Sequence, residues 1–127
     1  MEPESLVEVI CDTNFLIHLA TKRIKNIDNI DVEIGSITYV VPKVVENELF
    51  NLKSDIKKKQ DILDTLNFIK NFKIIPIDGK FADKELINHV KNNGGIIGTM
   101  DKELKKEIKK NGGSIISFSS DKMILES

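Results

Sequence analysis

Four acidic side chains lie just after predicted strands or on the helices next to them. Asp12 follows a short apolar run rich in β-branched residues, and Asp101 follows a second such run. Glu48 falls on the helix predicted after another strand, and Asp83 begins a further helix. Ligands of open α/β sheets bind at the carboxyl ends of the strands. We therefore expect the four carboxylates to converge at one edge of a sheet.

Carboxylates gathered in this way restrict the chemistry that the site supports. Like charges a few ångströms apart repel each other strongly in a partly desolvated cleft, and a bound cation removes that cost. Mg²⁺ and Mn²⁺ prefer carboxylate and water oxygens, whereas Zn²⁺ is usually bound by His or Cys. One or two such ions favour hydrolysis of a phosphodiester, because they activate water and stabilise the leaving oxygen. The acids therefore predict hydrolysis assisted by Mg²⁺ or Mn²⁺.

Apolar runs and amphipathic helices alternate along the chain. The predicted strands are residues 6–11, 36–41, 72–77, 96–100 and 114–118. The predicted helices follow Asp12, start at Pro42, and cover 56–72, 82–91 and 102–110. This order predicts a three-layer α/β/α sandwich around a mostly parallel, about five-stranded sheet in a single domain.

Finer features of this pattern lead to further expectations. The internal Pro76 places the third strand at an edge of the sheet. The helix over 56–72 should turn its apolar residues inward. These residues are Ile56, Ile62, Leu63, Leu66 and Ile69. The residues after 118 are expected to form a short polar tail.

Composition limits the cellular setting and the partners. Nineteen Lys and Arg face 20 Asp and Glu, a net charge of −1, so that binding of a polyanion requires local basic patches. The first residues are acidic, and no apolar run approaches the length of a membrane span. We expect a soluble, cytoplasmic protein without a membrane partner. The single cysteine, Cys11, lies in an apolar run and is expected to be buried.

Four short segments surround the acids, and together they resemble the motifs of the PIN-domain ribonucleases. The segments are VICDTNFLI at 9–17, VPKVVENEL at 41–49, FADKELI at 81–87 and GTMDKEL at 98–104. Any one of them alone is common. Their order and spacing cover nearly the whole chain, which identifies residues 1–127 as a single domain similar to this family.

The resemblance implies an endoribonuclease that cuts RNA and leaves a 5′ phosphate. Its catalytic residues, which bind one or two Mg²⁺ or Mn²⁺ ions, would be Asp12, Glu48, Asp83 and Asp101. The residues that position a ligand, water or a turn would be Thr13, Asn14 and Thr99. It also implies a homodimer, and either a toxin with an antitoxin partner or an rRNA-maturing enzyme with a pre-ribosomal partner. Lys84 replaces a second Asp of many relatives, and Glu85 is a candidate substitute.

Simpler interpretations accompany these assignments. Asp12, Thr13 and Asp83 are also typical N-cap residues. A lysine-rich helix is usually a solvated face, although its position after Asp101 also suggests contacts with RNA phosphates. The lysines concerned are Lys102, Lys105 and Lys106. Residues expected to have no role in the site are Glu46, His18 and His89.

Three other classes of protein share parts of this pattern. A response-regulator receiver needs paired acids after its first strand and a Lys after its fifth, where this chain has Cys11-Asp12 and Phe118-Ser119-Ser120. A phosphatase of the haloacid dehalogenase type needs Asp-x-Asp, which Asn14 breaks. A catalytically silent PIN domain that binds RNA or protein remains the alternative, because fold does not establish activity.

Overall fold

Strands and helices alternate along most of the chain in the computed structural model, which describes residues 6–24 and 36–126. The strands are β1 (Leu6–Cys11), β2 (Ser36–Pro42), β3 (Lys73–Ile75), β4 (Ile96–Gly98), β5 (Ser114–Ser119) and β6 (Lys122–Glu126). The helices are α1 (Thr13–Thr21), α2 (Lys43–Leu52), α3 (Lys59–Phe68), α4 (Ala82–Asn93) and α5 (Lys102–Lys110). The predicted α/β architecture is confirmed.

The strands form one sheet in the order β3-β2-β1-β4-β5-β6. The pairs among β1 to β5 are parallel, and β6 is antiparallel to β5. β1 lies between β2 and β4, so that Val9 is opposite Tyr39 on one side and Ile96 on the other. The chain leaves β1 toward β2, while β4 joins on the opposite side. Such a switch point is where parallel sheets open a crevice for ligands.

Alternate residues of the strands face two separate layers of helices. Val9 and Val41 belong to a core that includes residues of α1, α2 and α3. Ile10 and Val40 belong to a second core, which includes Leu86 of α4 and residues of α5. Because successive side chains of a strand point to opposite faces, this division shows a sheet covered on both sides.

Gly98 allows α1 to lie close to the end of β4. A Cβ atom at this position would lie 2.8 Å from the ring carbons Cδ1 and Cε1 of Phe15. Phe15 is fully buried and also stacks on Phe118 at 4.8 Å between centroids. The absence of a side chain at Gly98 therefore sets the distance between the first helix and the sheet.

Several sequence predictions need correction. The described sheet has six strands, because the expected polar tail forms β6 instead. The third helix covers Lys59–Phe68 and not 56–72, because Asp55 accepts a hydrogen bond from the Lys57 N–H and holds a turn before it. Ile56, which was expected to be inward, is therefore 90% exposed, and Leu63 is also exposed.

Other predictions agree with the structure. β3 lies at an edge of the sheet, and α5 has the predicted bounds. Pro42 ends β2 and caps α2, one residue before its predicted role as the first helical residue. Cys11 is fully buried. Among the helices of the described ranges, none has the length and hydrophobicity that crossing a membrane requires.

Replacement of Gly98 by Ala tests the contact with Phe15. The added methyl group overpacks the interface, and we expect a loss of about 2 kcal/mol in the free energy of unfolding. Chemical denaturation of Gly98→Ala measures this loss. In a Phe15→Leu background, which opens space beside Gly98, the same substitution should cost less than about half as much. An equal cost in both backgrounds would contradict the packing argument.

Candidate functional site

Asp12 joins the end of β1 to the start of α1. Its backbone N–H donates to the carbonyl of Gly98 at 3.0 Å, which extends the pairing of β1 with β4. Its Oδ1 accepts from the N–H of Phe15 at 2.8 Å and caps the helix. Its Oδ2 accepts a hydrogen bond from the hydroxyl of Thr99. Only 7% of Asp12 is exposed, so these contacts hold a nearly buried carboxylate in one orientation.

Thr99 connects Asp12 to Asp101. The Thr99 hydroxyl, which donates to Asp12, accepts from the N–H of Asp101 at 3.1 Å. Asp101 caps α5, because its Oδ1 accepts from the N–H of Leu104 at 3.0 Å. Thr99 is fully buried, whereas Asp101 is exposed. One buried hydroxyl therefore fixes the positions of the acids after β1 and β4.

Glu48 is held by the first turns of two helices. The hydroxyl of Thr13 donates to its Oε1 at 2.6 Å, and the N–H of Ala82 donates to its Oε2 at 3.3 Å. Helix N-termini have N–H groups without intrahelical partners and favour negative charge. Ala82 begins α4 and Asp83 follows it, so this contact also brings Asp83 toward the site.

The four acids line one depression, which we call the acidic cleft. It has a volume of about 160 Å³. The residues that line it are Asp12, Thr13, Asn14, Glu48, Ala82, Asp83 and Asp101. Every charged side chain in this lining is a carboxylate. The cleft therefore concentrates negative charge at the carboxyl edge of the sheet.

Burial and mutual repulsion affect the acids of the cleft. Burial raises the pKa of Asp12 from 3.8 to about 6, although the hydrogen bonds from Thr99 and Phe15 act to lower it. The negative charges of Asp83 and Asp101 add to the rise. Burial also raises the pKa of Asp83, with further contributions from Asp101 and Glu48. The ionised forms of these groups are thus destabilised in the absence of a counter-charge.

A divalent cation fits this set of donors. Oxygen ligands without His or Cys suit Mg²⁺ or Mn²⁺, and a cation offsets the repulsion that raises the pKa of Asp12 and Asp83. Among residues 6–24 and 36–126, no group of three or more His, Cys, Asp or Glu side chains is placed so that it could hold one metal ion directly. Mg²⁺ keeps several of its waters and commonly uses one or two carboxylates. The residues therefore fit a hydrated ion better than a closed cage.

A family model described as "PIN like domain" matches residues 9–120 of the chain. The chain belongs to the PIN-like domain family. The match extends from β1 to the turn after β5, so it includes all four acids of the cleft. The resemblance inferred from the four motifs is confirmed.

Known proteins similar to this PIN-like domain include nucleases. Ribonuclease VapC4 of Methanocaldococcus jannaschii is 31% identical over 101 residues, which are 72% of this chain and 74% of VapC4. The structure of the PIN domain endonuclease Utp24 has 25% identity and a TM-score of 0.76, with 94% of this chain and 90% of that chain covered. A chain in the crystal structure of VapBC2 from Rickettsia felis, bound to a promoter DNA fragment, has a TM-score of 0.55. At 16% identity, over 89% of this chain and 100% of that one, it shows the fold alone.

The structure brings the sequence-predicted site residues together. The four acids line the cleft with Thr13 and Asn14, and Thr99 lies behind them. Asp12 is an N-cap and a cleft residue at once, as is Asp101, whereas Thr13 and Asp83 are not caps. The two interpretations of Asp12 are therefore compatible. The catalytic and metal-binding roles of these residues stay predictions.

Other acidic and histidine residues of the PIN-like domain lie elsewhere. Glu46 pairs with Lys43 at 2.8 Å, outside the cleft lining. The Glu85 carboxylate packs over Gly79 and does not line the cleft. It therefore does not take the place of the second Asp that Lys84 replaces. His18 stacks on Phe118 with ring centroids 4.2 Å apart.

The lysines of α5 differ in their surroundings. Lys105 forms an ion pair with Glu126 of β6 at 2.8 Å. Lys102 and Lys106 are exposed. The predicted contact of Lys102, Lys105 and Lys106 with RNA phosphates stays a prediction, and the ion pair makes Lys105 the least available of the three.

The sequence did not reveal the backbone donor in the site. The N–H of Ala82 binds Glu48 across 34 positions of the chain. A predicted helix start indicates free N–H groups, but not which acid they meet. The contact depends on how α2 and α4 pack.

Replacement of Asp12 by Asn tests the electrostatic cost of the cleft. An acid whose pKa is higher in the folded state than in the unfolded state does not lower the stability of the fold at pH values below its unfolded pKa. It lowers the stability increasingly as the pH rises from the unfolded pKa through the folded pKa. Wild type should therefore lose stability between pH 3.8 and about 6 through Asp12. Asp12→Asn removes this loss, so in EDTA at pH 8 it should raise the free energy of unfolding by up to about 3 kcal/mol.

Denaturation of both proteins as a function of pH measures the difference. The gain should disappear below about pH 3, where Asp12 is protonated in both states. Mn²⁺ should stabilise wild type and not Asp12→Asn, since an ion that binds only the folded state raises its stability. A difference between the two proteins that does not change with pH would contradict this account.

Proposed function

We propose that this PIN-like domain is a divalent-metal-dependent endoribonuclease that hydrolyses RNA phosphodiester bonds. The observation that carries the proposal is the acidic cleft, in which four carboxylates from separate parts of the chain line one depression at the switch point of the sheet. The similarity of the chain to Ribonuclease VapC4 and to the PIN domain endonuclease Utp24 supports nuclease activity. One or two ions, Mg²⁺ or Mn²⁺, are the proposed cofactors.

Each acid of the cleft has a distinct position for this reaction. Asp12 offers a fixed carboxylate from the centre of the sheet, and Asp101 offers an exposed one at the mouth of the cleft. Glu48 faces them from α2, and Asp83 completes the set from α4. A bound divalent ion supplies Lewis acidity that activates water and neutralises the leaving oxygen.

The neighbouring polar groups orient two of these acids. The hydroxyl of Thr99 donates to Asp12, and that of Thr13 donates to Glu48, so each hydroxyl fixes the direction of one carboxylate. Asn14 is exposed beside them, and its amide can both donate to and accept from a substrate or water. The chain therefore positions the acids before any ligand arrives.

Two biological settings are compatible with this activity. Similarity to Ribonuclease VapC4 supports the toxin of a toxin–antitoxin pair, with an antitoxin as partner. Similarity to the PIN domain endonuclease Utp24 supports maturation of rRNA, with a pre-ribosomal partner. We also propose a homodimer. A small antitoxin gene found beside the gene for this chain would favour the toxin. Analytical ultracentrifugation tests the dimer.

The activity test is cleavage of a panel of structured RNAs in Mn²⁺ or Mg²⁺ and in EDTA. Cleavage should require the metal. Glu48→Gln should lower the rate at least about 100-fold, because even the partners of metal ligands are worth about 10- to 100-fold. The matched control is Glu46→Gln, two residues away on the same helix and outside the cleft, which should stay within about twofold of wild type.

A second matched pair addresses α4. Asp83→Asn should abolish cleavage, whereas Glu85→Gln should preserve it, because only Asp83 lines the cleft. Cleavage that persists in both Glu48→Gln and Asp83→Asn, or that never appears in any metal, would overturn the proposal. The latter result, with RNA binding intact, would instead establish a silent RNA-binding scaffold.

A further inference from the structure

A second depression lies beside the acidic cleft, and we call it the α1 groove. Its volume is about 390 Å³, within the range of small-molecule pockets. The residues that line it are Asn14, Ile17, His18, Thr21, Lys22, Asp61, Met100 and Asp101. Asn14 and Asp101 also line the acidic cleft, so the two depressions adjoin each other. A polymer bound at the cleft can therefore reach this groove without leaving the surface.

The wall of the groove formed by α1 has features of a ligand site. Lys22 is exposed at the C-terminal end of α1 and is the only Lys or Arg among the described residues that line the groove. Burial lowers the pKa of the His18 imidazole, and the positive charge of Lys22 lowers it further. The Nε2 atom of His18 is buried and has no hydrogen-bond partner in the described part of the chain. Buried polar atoms usually have a hydrogen-bond partner, so the unpartnered Nε2 is a further feature of this wall that a polar ligand would explain.

The opposite wall carries an exposed acid. Asp61 lies in the first turn of α3, which packs against α1. The main-chain carbonyl of Asp61 accepts from the hydroxyl of Thr65 at 2.7 Å, and Asp61 is among the residues that line the groove. Between these walls, Ile17 and Met100 provide apolar surface. A phosphate suits the Lys22 side, whereas a hydrogen-bond donor suits the Asp61 side.

A single-stranded nucleotide combines these properties. Single-stranded RNA is recognised by apolar or stacking contacts to a splayed base and by hydrogen bonds to its edge, while lysine contacts the phosphate. Carboxylates accept hydrogen bonds from exocyclic amino groups, such as N4 of cytosine. Uracil presents a carbonyl oxygen at that position, which the Asp61 carboxylate repels.

We propose that the α1 groove binds the nucleotide next to the scissile phosphate, with Lys22 on a backbone phosphate and Asp61 on the amino group of the base. This assignment rests on the proposed ribonuclease activity and adds a preference for bases with an amino group on the Watson–Crick edge. The residues that determine this preference lie outside the acidic cleft.

The first test measures binding of fluorescein-labelled decamers of cytidine and of uridine by fluorescence anisotropy, in EDTA so that no cleavage occurs. Lys22→Ala should weaken binding of both decamers about fivefold and reduce the slope of log K against log salt by about 0.7, the value for one phosphate of a single strand. Arg23→Ala removes the same charge at the next position, outside the groove lining, and should change binding less than about twofold. Equal losses in the two variants would overturn the assignment of Lys22.

The second test concerns the base. Wild type should bind the cytidine decamer about five- to tenfold more tightly than the uridine decamer, in keeping with one base-specific contact. Asp61→Asn should reduce this preference below about twofold, since an amide serves both bases. Asp64→Asn, an exposed acid on the same helix outside the groove, should leave it unchanged. Equal affinity for the two decamers in wild type, or equal effects of the two variants, would overturn the proposal.

These binding tests are independent of catalysis. Metal-dependent cleavage together with indifference to Lys22 and Asp61 would leave the ribonuclease in place and remove the groove. Failure to bind either decamer would overturn the groove assignment, and the cleavage assay on structured RNA would then decide the ribonuclease separately.

Discussion

The buried hydrogen bond from Thr99 to Asp12 is the contact on which the site depends. It joins the ends of the two central strands, β1 and β4, and each of its residues has a second task. Asp12 caps α1, and Thr99 accepts from the N–H of Asp101, the cap of α5. Gly98, just before Thr99, lets Phe15 of α1 pack against the strand end. Two helices and two acids are therefore oriented from one point in the sheet.

The same arrangement lowers the stability of the folded protein electrostatically. Asp12 is ionised above about pH 6 in a nearly buried position, and the nearby charges of Asp83 and Asp101 disfavour that form. A fold selected only for stability would place an uncharged group there, since a buried charge without a partner destabilises a protein. A bound cation that completes the site would explain why an acid stands at this position. Strain of this kind is typical of functional sites.

Local patterns predicted those parts of the protein that local interactions determine. Asp12 and Asp101 were placed correctly because each ends an apolar run and begins a helix. The contact of Glu48 with α4 depends on packing between helices that are distant in the sequence. Glu48 is therefore distinguished from Glu46 by the motif resemblance and not by helix periodicity. β6 was missed because its turn uses Ser120 with φ 61°, where glycine would have given the usual signal. Ile56 was misplaced because a helical pattern does not reveal the turn before α3.

The central claim is that the acidic cleft holds a divalent cation. The most direct measurement is anomalous diffraction at the manganese edge from crystals grown with Mn²⁺, compared with crystals of Asp101→Asn. We predict an anomalous peak within coordination distance of carboxylates of the cleft in wild type, and its loss or marked weakening in the variant. A wild-type cleft without a peak at millimolar Mn²⁺, or a peak bound only elsewhere on the protein, would contradict the account.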